Sequence, residues 1–268
     1  MLKPLRVEIG NIPILIELDG PCVFEENTAL YEPFITSKKC LYRIKVSSSL
    51  RRGELSAPEG VSLVFKNSIY KIECAEFKGI LDLDGRRGSI CLSAPCSSQA
   101  LVSALTNFSI FLKLNKGGIV FHASAIVREN RAYVFFGPSG AGKSTVAELS
   151  QKYTVLSQEL VGFDFLNRSC RAFAFPYYED LRFSSRSNGC FKVAGLFKLV
   201  KDKRNYLKAI PKALALADFF TFPYDLGILK SFSGYFNQHS KLIESVSCYE
   251  LHFLPDGSFW KCIDGRFN

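Results

Sequence analysis

The stretch F-F-G-P-S-G-A-G-K-S-T at residues 135–145 decides the fold of this chain. It follows a hydrophobic run at residues 131–136, which predicts a buried strand, and it leads into residues 146–149, which predict the first turns of a helix. In this order of strand, loop and helix, residues 137–144 satisfy G-x-x-x-x-G-K-[ST], the pattern of a phosphate-binding loop. The rest of the chain is therefore interpreted around a nucleotide site.

The chemistry of that loop follows from its residue types. Glycines allow backbone angles and a close approach that a Cβ would block, so amide N–H groups can turn inward around phosphate oxygens. Lys143 adds a positive charge, Ser144 adds a hydroxyl for Mg²⁺, and the following helix adds the partial charge of its N-terminus. We expect ATP with Mg²⁺ to bind at Gly137, Pro138, Ser139, Gly140, Ala141, Gly142, Lys143, Ser144 and Thr145.

The composition is that of a globular chain with room for two unequal parts. Its 268 residues are 47% hydrophobic, and 24 Phe and 11 Tyr stand beside one Met and one Trp, which indicates an aromatic core. The net charge is +9, but Lys and Arg are scattered along the chain. This distribution favours a solvated basic surface and makes a nucleic-acid partner unlikely.

The cysteines and the N-terminal sequence predict a cellular compartment. Nine cysteines are an odd number, and they form no C-x-x-C pair and no zinc spacing with the three histidines. Residues 1–6 lack the apolar core of a signal peptide, and no apolar run approaches the roughly 20 residues that span a bilayer. We expect free thiols, a cytoplasmic location and no membrane partner.

Residues 5–93 alternate apolar and polar side chains in short segments, which predicts strands. The segments are residues 5–9, 14–18, 41–46, 61–65, 69–74 and 79–83. Turn residues at 66–68 and 84–88 predict hairpins, so we expect an antiparallel sheet with one solvated face. These strands carry no catalytic constellation, and we expect them to form a platform or a recognition surface.

The period of the hydrophobic pattern changes after residue 96. Apolar residues between 100 and 112 line one helical face, and this helix predicts a boundary between a β-rich part, residues 1–96, and a nucleotide-binding part, residues 97–268. Short strands at residues 119–121 and 124–128 follow, with His122 between them. A tight turn at residues 129–130 then leads into the strand before the loop.

Beyond the loop helix the pattern returns to strands and then changes again. Strands are predicted at residues 153–156, 161–166, 172–175 and 195–200, helices at 211–219 and 226–245, and a terminal hairpin of strands 249–254 and 259–262 around the turn 255–258. Residues 184–189 lack an apolar anchor. They predict a mobile loop, which is either a lid over the nucleotide or a plain surface loop.

Three motifs resemble the C-terminal catalytic domain of HPr kinase/phosphorylase and its kinase-like relatives. They are G-G-I-V-F-H-A-S-A at residues 117–125, the phosphate loop at 137–145, and V-L-S-Q-E at 155–159. The resemblance covers roughly residues 97–260. It implies an α/β fold with a mixed sheet, like that of phosphoenolpyruvate carboxykinase, and a catalytic histidine at His122 beside Lys143. Arg182 resembles an arginine of the relatives and is predicted to contact phosphate.

The acidic pair of the family is where this chain differs. The family usually has Asp-Asp or Asp-Glu after this strand, for a Mg²⁺ contact and for the base that takes the acceptor's hydroxyl proton, whereas this chain has Gln158 and Glu159. Gln158 is neutral, so only Glu159 can act as the base or join Ser144 as a metal ligand. We expect burial and nearby phosphate to raise the pKa of Glu159.

Three functions remain open from the sequence. The first is an ATP-dependent kinase that phosphorylates a hydroxyl of a protein, peptide or small molecule, most simply a serine. The second is a nucleotide-binding regulatory protein that transfers phosphate poorly. The third, a carboxykinase, is the weakest because no further metal ligands are evident. A homo-oligomer is left open.

Overall fold

The structure is a computed structural model that describes residues 4–19, 28–51, 62–94, 98–166, 169–177, 180, 182–183, 185–221 and 232–267. The described residues form two compact units, of which the first ends at Leu112 and the second begins at Lys113. Each unit is built on a mixed sheet with few helices, which confirms a mixed α/β chain. No helix in these ranges is long and apolar enough to cross a membrane.

The first unit contains a seven-stranded sheet in the order β1-β2-β3-β7-β6-β5-β4. A short helix α1 (Thr28–Tyr31) and a 3-10 turn (Glu32–Phe34) lie between β2 and β3. The strands are β1 (Leu5–Ile9), β2 (Ile12–Asp19), β3 (Tyr42–Arg51), β4 (Ser62–Lys66), β5 (Ile69–Glu73), β6 (Phe77–Asp82) and β7 (Arg87–Ala94).

The expectation of a fully antiparallel first sheet is wrong at two places. The hairpins β4–β5 and β6–β7 form as predicted, and Asn67 and Ser68 adopt the positive φ values, 50° and 61°, of a tight hairpin turn. However, β2 pairs with β3 and β3 pairs with β7 in parallel. Alternation shows which face of a strand is buried but carries no strand direction, and these two pairs are not joined by a hairpin.

The helix after the first sheet, α2 (Ser98–Asn115), is present as predicted. Within the first unit, the ring of Phe108 lies against the backbone of Gly79, so a Cβ there would come within 2.7 Å of it, and Phe111 stacks on Tyr70 at 3.9 Å. The division by packing falls inside α2, at residue 112. The functional boundary between residues 96 and 97 stays a prediction.

The second unit contains an eight-stranded sheet. Seven strands run in the order β10-β8-β11-β12-β13-β15-β14, and β9 pairs with both β8 and β13. The strand β13 runs parallel to β9 and to β15, whereas the other pairs are antiparallel. The strands are β8 (Ile119–Arg128), β9 (Arg131–Phe136), β10 (Thr154–Ser157), β11 (Leu160–Leu166), β12 (Ser169–Ala174), β13 (Phe191–Lys201), β14 (Tyr206–Ala209) and β15 (Cys248–Phe253).

Four helices accompany this sheet: α3 (Lys143–Leu149), α4 (Lys212–Thr221), α5 (Phe232–Ser245) and α6 (Phe259–Phe267). The predicted start of α5, residues 226–231, lies outside the described residues. Aromatic side chains fill the core as the composition predicted, because Phe135, Phe197 and Trp260 are all at most 3% exposed and pack together. This core fixes β9, the strand that leads into the glycine-rich loop.

Three details of the second unit differ from the sequence predictions. Residues 119–128 form one strand with His122 inside it, so the predicted break is absent. The strand β14 was not predicted. The predicted strand at residues 259–262 is wrong, because Phe259, Trp260 and Ile263 are buried at helical spacing along α6. A window of only four residues was too short to show that period.

Candidate functional site

The glycine loop, residues 137–142, connects β9 to α3, so the strand, loop and helix order predicted from the sequence is confirmed. Gly140 and Gly142 have φ values of 75° and 113°, which side chains with a Cβ rarely adopt. A Cβ at Gly142 would also lie 2.6 Å from Cζ of Phe253, the last residue of β15. Glycine at residue 142 is therefore required by the backbone angle and by packing.

The N–H groups of the glycine loop differ in whether they have a backbone acceptor among the described residues. The N–H of Ala141 donates to the carbonyl oxygen of Pro138 at 3.1 Å and closes a turn. Within the described residues, no carbonyl accepts a hydrogen bond from the N–H groups of Gly140, Gly142 or Lys143. These N–H groups can bind an anion without breaking an existing hydrogen bond.

Lys143 lies folded over the same loop. Its Nζ donates to the carbonyl oxygens of Gly137 at 3.0 Å and Pro138 at 3.2 Å. Burial lowers the pKa of Lys143, and the nearby carboxylate of Glu159 opposes that shift. The ammonium group thus lies on the carbonyl oxygens of the glycine loop, near enough to Glu159 for the two charges to interact.

His122 and Glu159 are brought together beside the loop by strand pairing. His122 pairs with Leu160 across β8 and β11, and the N–H of Ala123 donates to the carbonyl oxygen of Glu159 at 3.1 Å. Ala123 also pairs with Phe136, the residue before the loop. Nδ1 of His122 lies 3.3 Å from Oε1 of Glu159. The predicted catalytic residues His122, Lys143 and Glu159 therefore lie together beside the glycine loop, and we call these three residues the loop cluster.

The protein neighbours of Glu159 lower its pKa, and the rise expected from burial beside phosphate stays a prediction for the nucleotide complex. A hydrogen bond with His122 lowers the pKa of Glu159, burial opposes this, and the charges of His122 and Lys143 lower it further. The expected rise was based on burial and phosphate and did not include His122 and Lys143. Glu159 is consequently ionised at neutral pH.

Gln158 does not face the loop cluster as an exposed ligand would. Its side chain is only 3% exposed, and its Oε1 accepts a hydrogen bond from the Arg182 guanidinium. Arg182 also forms a 2.9 Å ion pair with Glu148 of α3. The structure thus places Arg182 next to the loop helix but on protein partners, and its predicted phosphate contact stays a prediction.

One buried acid was missed by the sequence analysis. Asp180 is 4% exposed, and it accepts hydrogen bonds from the Ser157 hydroxyl at 3.0 Å and from the N–H of Gln158 at 2.8 Å. It lies in an irregular segment with mixed charges, where no periodicity marks a buried position. Only its contacts reveal it.

The remaining site predictions have mixed outcomes. Ser144 is exposed at the start of α3, and no group of three His, Cys, Asp or Glu residues in the described ranges could hold a metal ion. A Mg²⁺ site at Ser144 and Glu159 stays a prediction. In the predicted loop 184–189, Ser184 is outside the described residues, while Ser185 accepts a hydrogen bond from Val155 at 3.1 Å.

The prediction of free thiols is confirmed for each described cysteine, and Cys22 and Cys96 lie outside the described ranges. The described cysteines, none of which forms a disulfide, are Cys40, Cys74, Cys91, Cys170, Cys190, Cys248 and Cys262.

Comparisons with known proteins give little beyond these observations. No family model matches the chain, and no curated protein matches it. Among solved structures, the chain is similar to the HPr(Ser) kinase/phosphatase from Coxiella burnetii, with 9% identity and a TM-score of 0.34 over 55% of this chain and 94% of that chain. A TM-score this low does not establish a shared fold. Function is therefore inferred from His122, Lys143 and Glu159 and from the glycine loop beside them.

Proposed function

We propose that the chain is an ATP-dependent kinase that requires Mg²⁺ and transfers the γ-phosphate to a hydroxyl of a protein, peptide or small molecule. The observation that supports this most directly is the convergence of Lys143, Glu159 and His122 on one glycine loop. We assign the second unit to the class of folds seen in phosphoenolpyruvate carboxykinase as part of the same proposal.

The loop and its lysine would position the phosphates. Phosphoryl transfer depends mainly on positioning and on neutralising the charge of the phosphate oxygens. The N–H groups of Gly140, Gly142 and Lys143 are available for phosphate oxygens, and the Lys143 ammonium would exchange its two carbonyl partners for them. Mg²⁺, when bound, would neutralise further charge, with the hydroxyl of Ser144 and the carboxylate of Glu159 as the protein oxygens at hand.

Glu159 would accept the proton of the attacking hydroxyl. His122 and Lys143 lower its pKa further below neutral pH, so at neutral pH it is in the ionised form that accepts a proton. The same shift makes it a weak base in the ligand-free chain. Phosphate bound beside Lys143 would offset that positive charge and raise the basicity of Glu159.

A second candidate is a nucleotide-binding regulatory protein with little or no transfer. The buried side chain of Gln158 favours it, because this neutral amide stands where the resembling kinases carry an acid, and its oxygen already accepts from Arg182. Such a protein would keep the loop and its lysine but lack the second carboxylate for Mg²⁺. A cytoplasmic location and a homo-oligomer stay predictions for either candidate.

Calorimetric titration with ATP and Mg²⁺ tests binding, and radiolabelled transfer tests turnover. The parent should bind ATP saturably, Lys143→Ala should lose that heat, and Lys152→Ala should keep it. Lys152 is a suitable control because it is an exposed lysine just after the loop helix. No saturable heat in the parent would refute both candidates.

Transfer then separates the two candidates. If the chain is a kinase, label should move from γ-labelled ATP to hydroxyl groups of molecules in a cell extract. If it is a regulatory protein, no label should move. Gln158→Asp restores the missing acid, so it should strengthen the Mg²⁺ dependence of an active parent. Activity that arises only in Gln158→Asp would assign the parent to the regulatory class.

A further inference from the structure

The turn at residues 157–160, which carries Glu159, is held by two buried polar side chains. Ser157 is fully buried and Asp180 is 4% exposed. The Ser157 hydroxyl donates to Oδ2 of Asp180 at 3.0 Å, and the N–H of Gln158 donates to Oδ1 of the same carboxylate at 2.8 Å. Both oxygens of Asp180 are thus directed at this turn.

By accepting the proton of the Ser157 hydroxyl, the Asp180 carboxylate leaves the Ser157 oxygen to act as an acceptor. A hydroxyl has one proton and two acceptor lone pairs. Because the proton goes to Asp180, the lone pairs are free to accept, and they accept from the N–H groups of Glu159 and Leu160, each at 3.2 Å. One buried carboxylate therefore fixes three consecutive N–H groups, directly or through Ser157.

Sheet pairing alone does not orient this turn. The register between β10 and β8 shifts between Val155 and Ser157, at the point where the chain leaves β10. Pairing with β8 resumes at Leu160, and the N–H of Ala123 on β8 donates to the carbonyl oxygen of Glu159. Strand pairing thus fixes the backbone of Glu159 on its carbonyl side, and the contacts inside the turn fix its N–H side and with it the direction of the side chain.

We propose that Asp180 is a positioning residue that acts through Ser157 to hold the Glu159 carboxylate beside His122. What this positioning serves rests on the proposed kinase function, but the positioning itself does not. Asp180 holds the Ser157 hydroxyl, and that hydroxyl accepts from the N–H of Glu159, so this effect of Asp180 on Glu159 is indirect.

The hydrogen bonds from Asp180 through Ser157 to the N–H of Glu159 form a relay, and two substitutions break it with little change in side-chain volume. Asp180→Asn replaces an acceptor with an amide, so the Ser157 proton can lose its acceptor, and Ser157→Ala removes the hydroxyl altogether. The control is Asp264→Asn, the same change at a carboxylate of the second unit that pairs with Arg128. Ser157→Ala carries the test if Asp180→Asn fails to fold.

The first measurement needs no turnover. Amide exchange at Gln158, Glu159 and Leu160 should quicken by at least about tenfold in Asp180→Asn. It should quicken at Glu159 and Leu160 in Ser157→Ala. The carboxyl ¹³C resonance of Glu159 at pH 7 should move in both variants and stay in place in Asp264→Asn. Parent-like exchange and an unmoved Glu159 resonance in the folded variants would overturn the positioning role.

The second measurement uses transfer. Turnover, kcat, should fall about 10- to 100-fold with the ATP KM within about twofold, because misplacing a catalytic group affects the transition state more than binding. The double variant should lose no more than the worse single one, since both act in one relay. Equal losses in kcat and ATP affinity would contradict the relay. If the parent transfers no phosphate, the proposed kinase function is refuted. Amide exchange and the Glu159 carboxyl resonance would still show whether Asp180 positions Glu159.

Discussion

Two histidine–carboxylate pairs among the described residues of the second unit have very different surroundings. Nδ1 of His122 lies 3.3 Å from Glu159, and the His122 side chain is 43% exposed. Nδ1 of His252 lies 2.8 Å from Asp202, and the His252 side chain is 15% exposed. By residue type alone the two pairs are equivalent, so residue type does not tell a catalytic pair from a structural one.

The surroundings make the distinction. Nε2 of His252 lies 3.4 Å from Glu250, and the Tyr206 ring stacks on the imidazole at 4.1 Å, so both nitrogens and one face are occupied. The His122 pair instead lies beside Lys143, whose charge interacts with Glu159. The neighbouring glycine loop supports the chemistry that we propose for the first pair, whereas the contacts of His252 favour a structural role for the second.

The largest expected difference between the pairs is in turnover. Glu159→Gln should lower kcat by about 100- to 10,000-fold with little change in ATP affinity, because proton transfer is felt in the transition state. His252→Gln should stay within about threefold of the parent. Radiolabelled transfer and calorimetry on both variants measure this. Equal losses in the two variants would erase the distinction.

The free energy of unfolding should fall more when the second pair is broken than when the first is, the reverse of the expected effect on turnover. His252→Ala should reduce the free energy of unfolding by about 1–2 kcal/mol, because it removes hydrogen bonds to two carboxylates. His122→Ala should cost less than about 0.5 kcal/mol, since its side chain is nearly half exposed. Urea unfolding of both variants provides the measurement, and a larger loss at His122 would contradict the structural role of His252.

Acid pH should reveal what the two pairs share. The hydrogen bond from His252 lowers the pKa of Asp202 below its ordinary 3.8, and His122 lowers that of Glu159 below its ordinary 4.5. A carboxyl with a lowered folded pKa adds stability above its unfolded pKa and loses it as pH falls through the folded one. The differences in stability between the parent and Asp202→Asn or Glu159→Gln should therefore narrow as pH falls below the ordinary pKa values of 3.8 and 4.5 and through the lower values of the folded protein. Unfolding midpoints from pH 7 to pH 2 test this, and differences that do not narrow over this range would contradict it.

The smallest effect concerns the thiol on the strand of the second pair. Burial raises the pKa of Cys248 on β15 to about 12, so it should react slowly with iodoacetamide. Loss of the structural pair in His252→Ala should loosen β15 and speed that reaction about two- to fivefold. Peptide mass spectrometry resolves Cys248, with His122→Ala as the matched control. Equal rates in both variants would show that the pair does not brace this strand.

Most of the correct structural predictions came from residues that are close together in the sequence. The glycine loop was found because strand, turn residues and helix follow one another within residues 131–149. The hairpin between β8 and β9 was found because Glu129 and Asn130 are a short turn, and both adopt positive φ, 51° and 60°. These features depend on neighbours in the chain, so a single sequence is enough to predict them.

Features that depend on distant contacts could not be predicted in this way. The parallel pairing of β3 with β7 joins strands separated by three others in the chain. The burial of Asp180 follows from Ser157, and the direction of the Glu159 pKa shift follows from His122 and Lys143. In each case the decisive partner is remote in sequence, and no periodicity shows it.

The hydrogen bonds of Lys143 to the glycine loop affect the heat that calorimetry measures for nucleotide binding. Its ammonium already donates to the carbonyl oxygens of Gly137 and Pro138, so an arriving polyanion replaces two hydrogen bonds instead of creating them from nothing. The heat measured for nucleotide is then an exchange enthalpy and understates the new contacts. A modest enthalpy in the parent is therefore compatible with a well-formed complex, and affinity is the quantity to compare between variants.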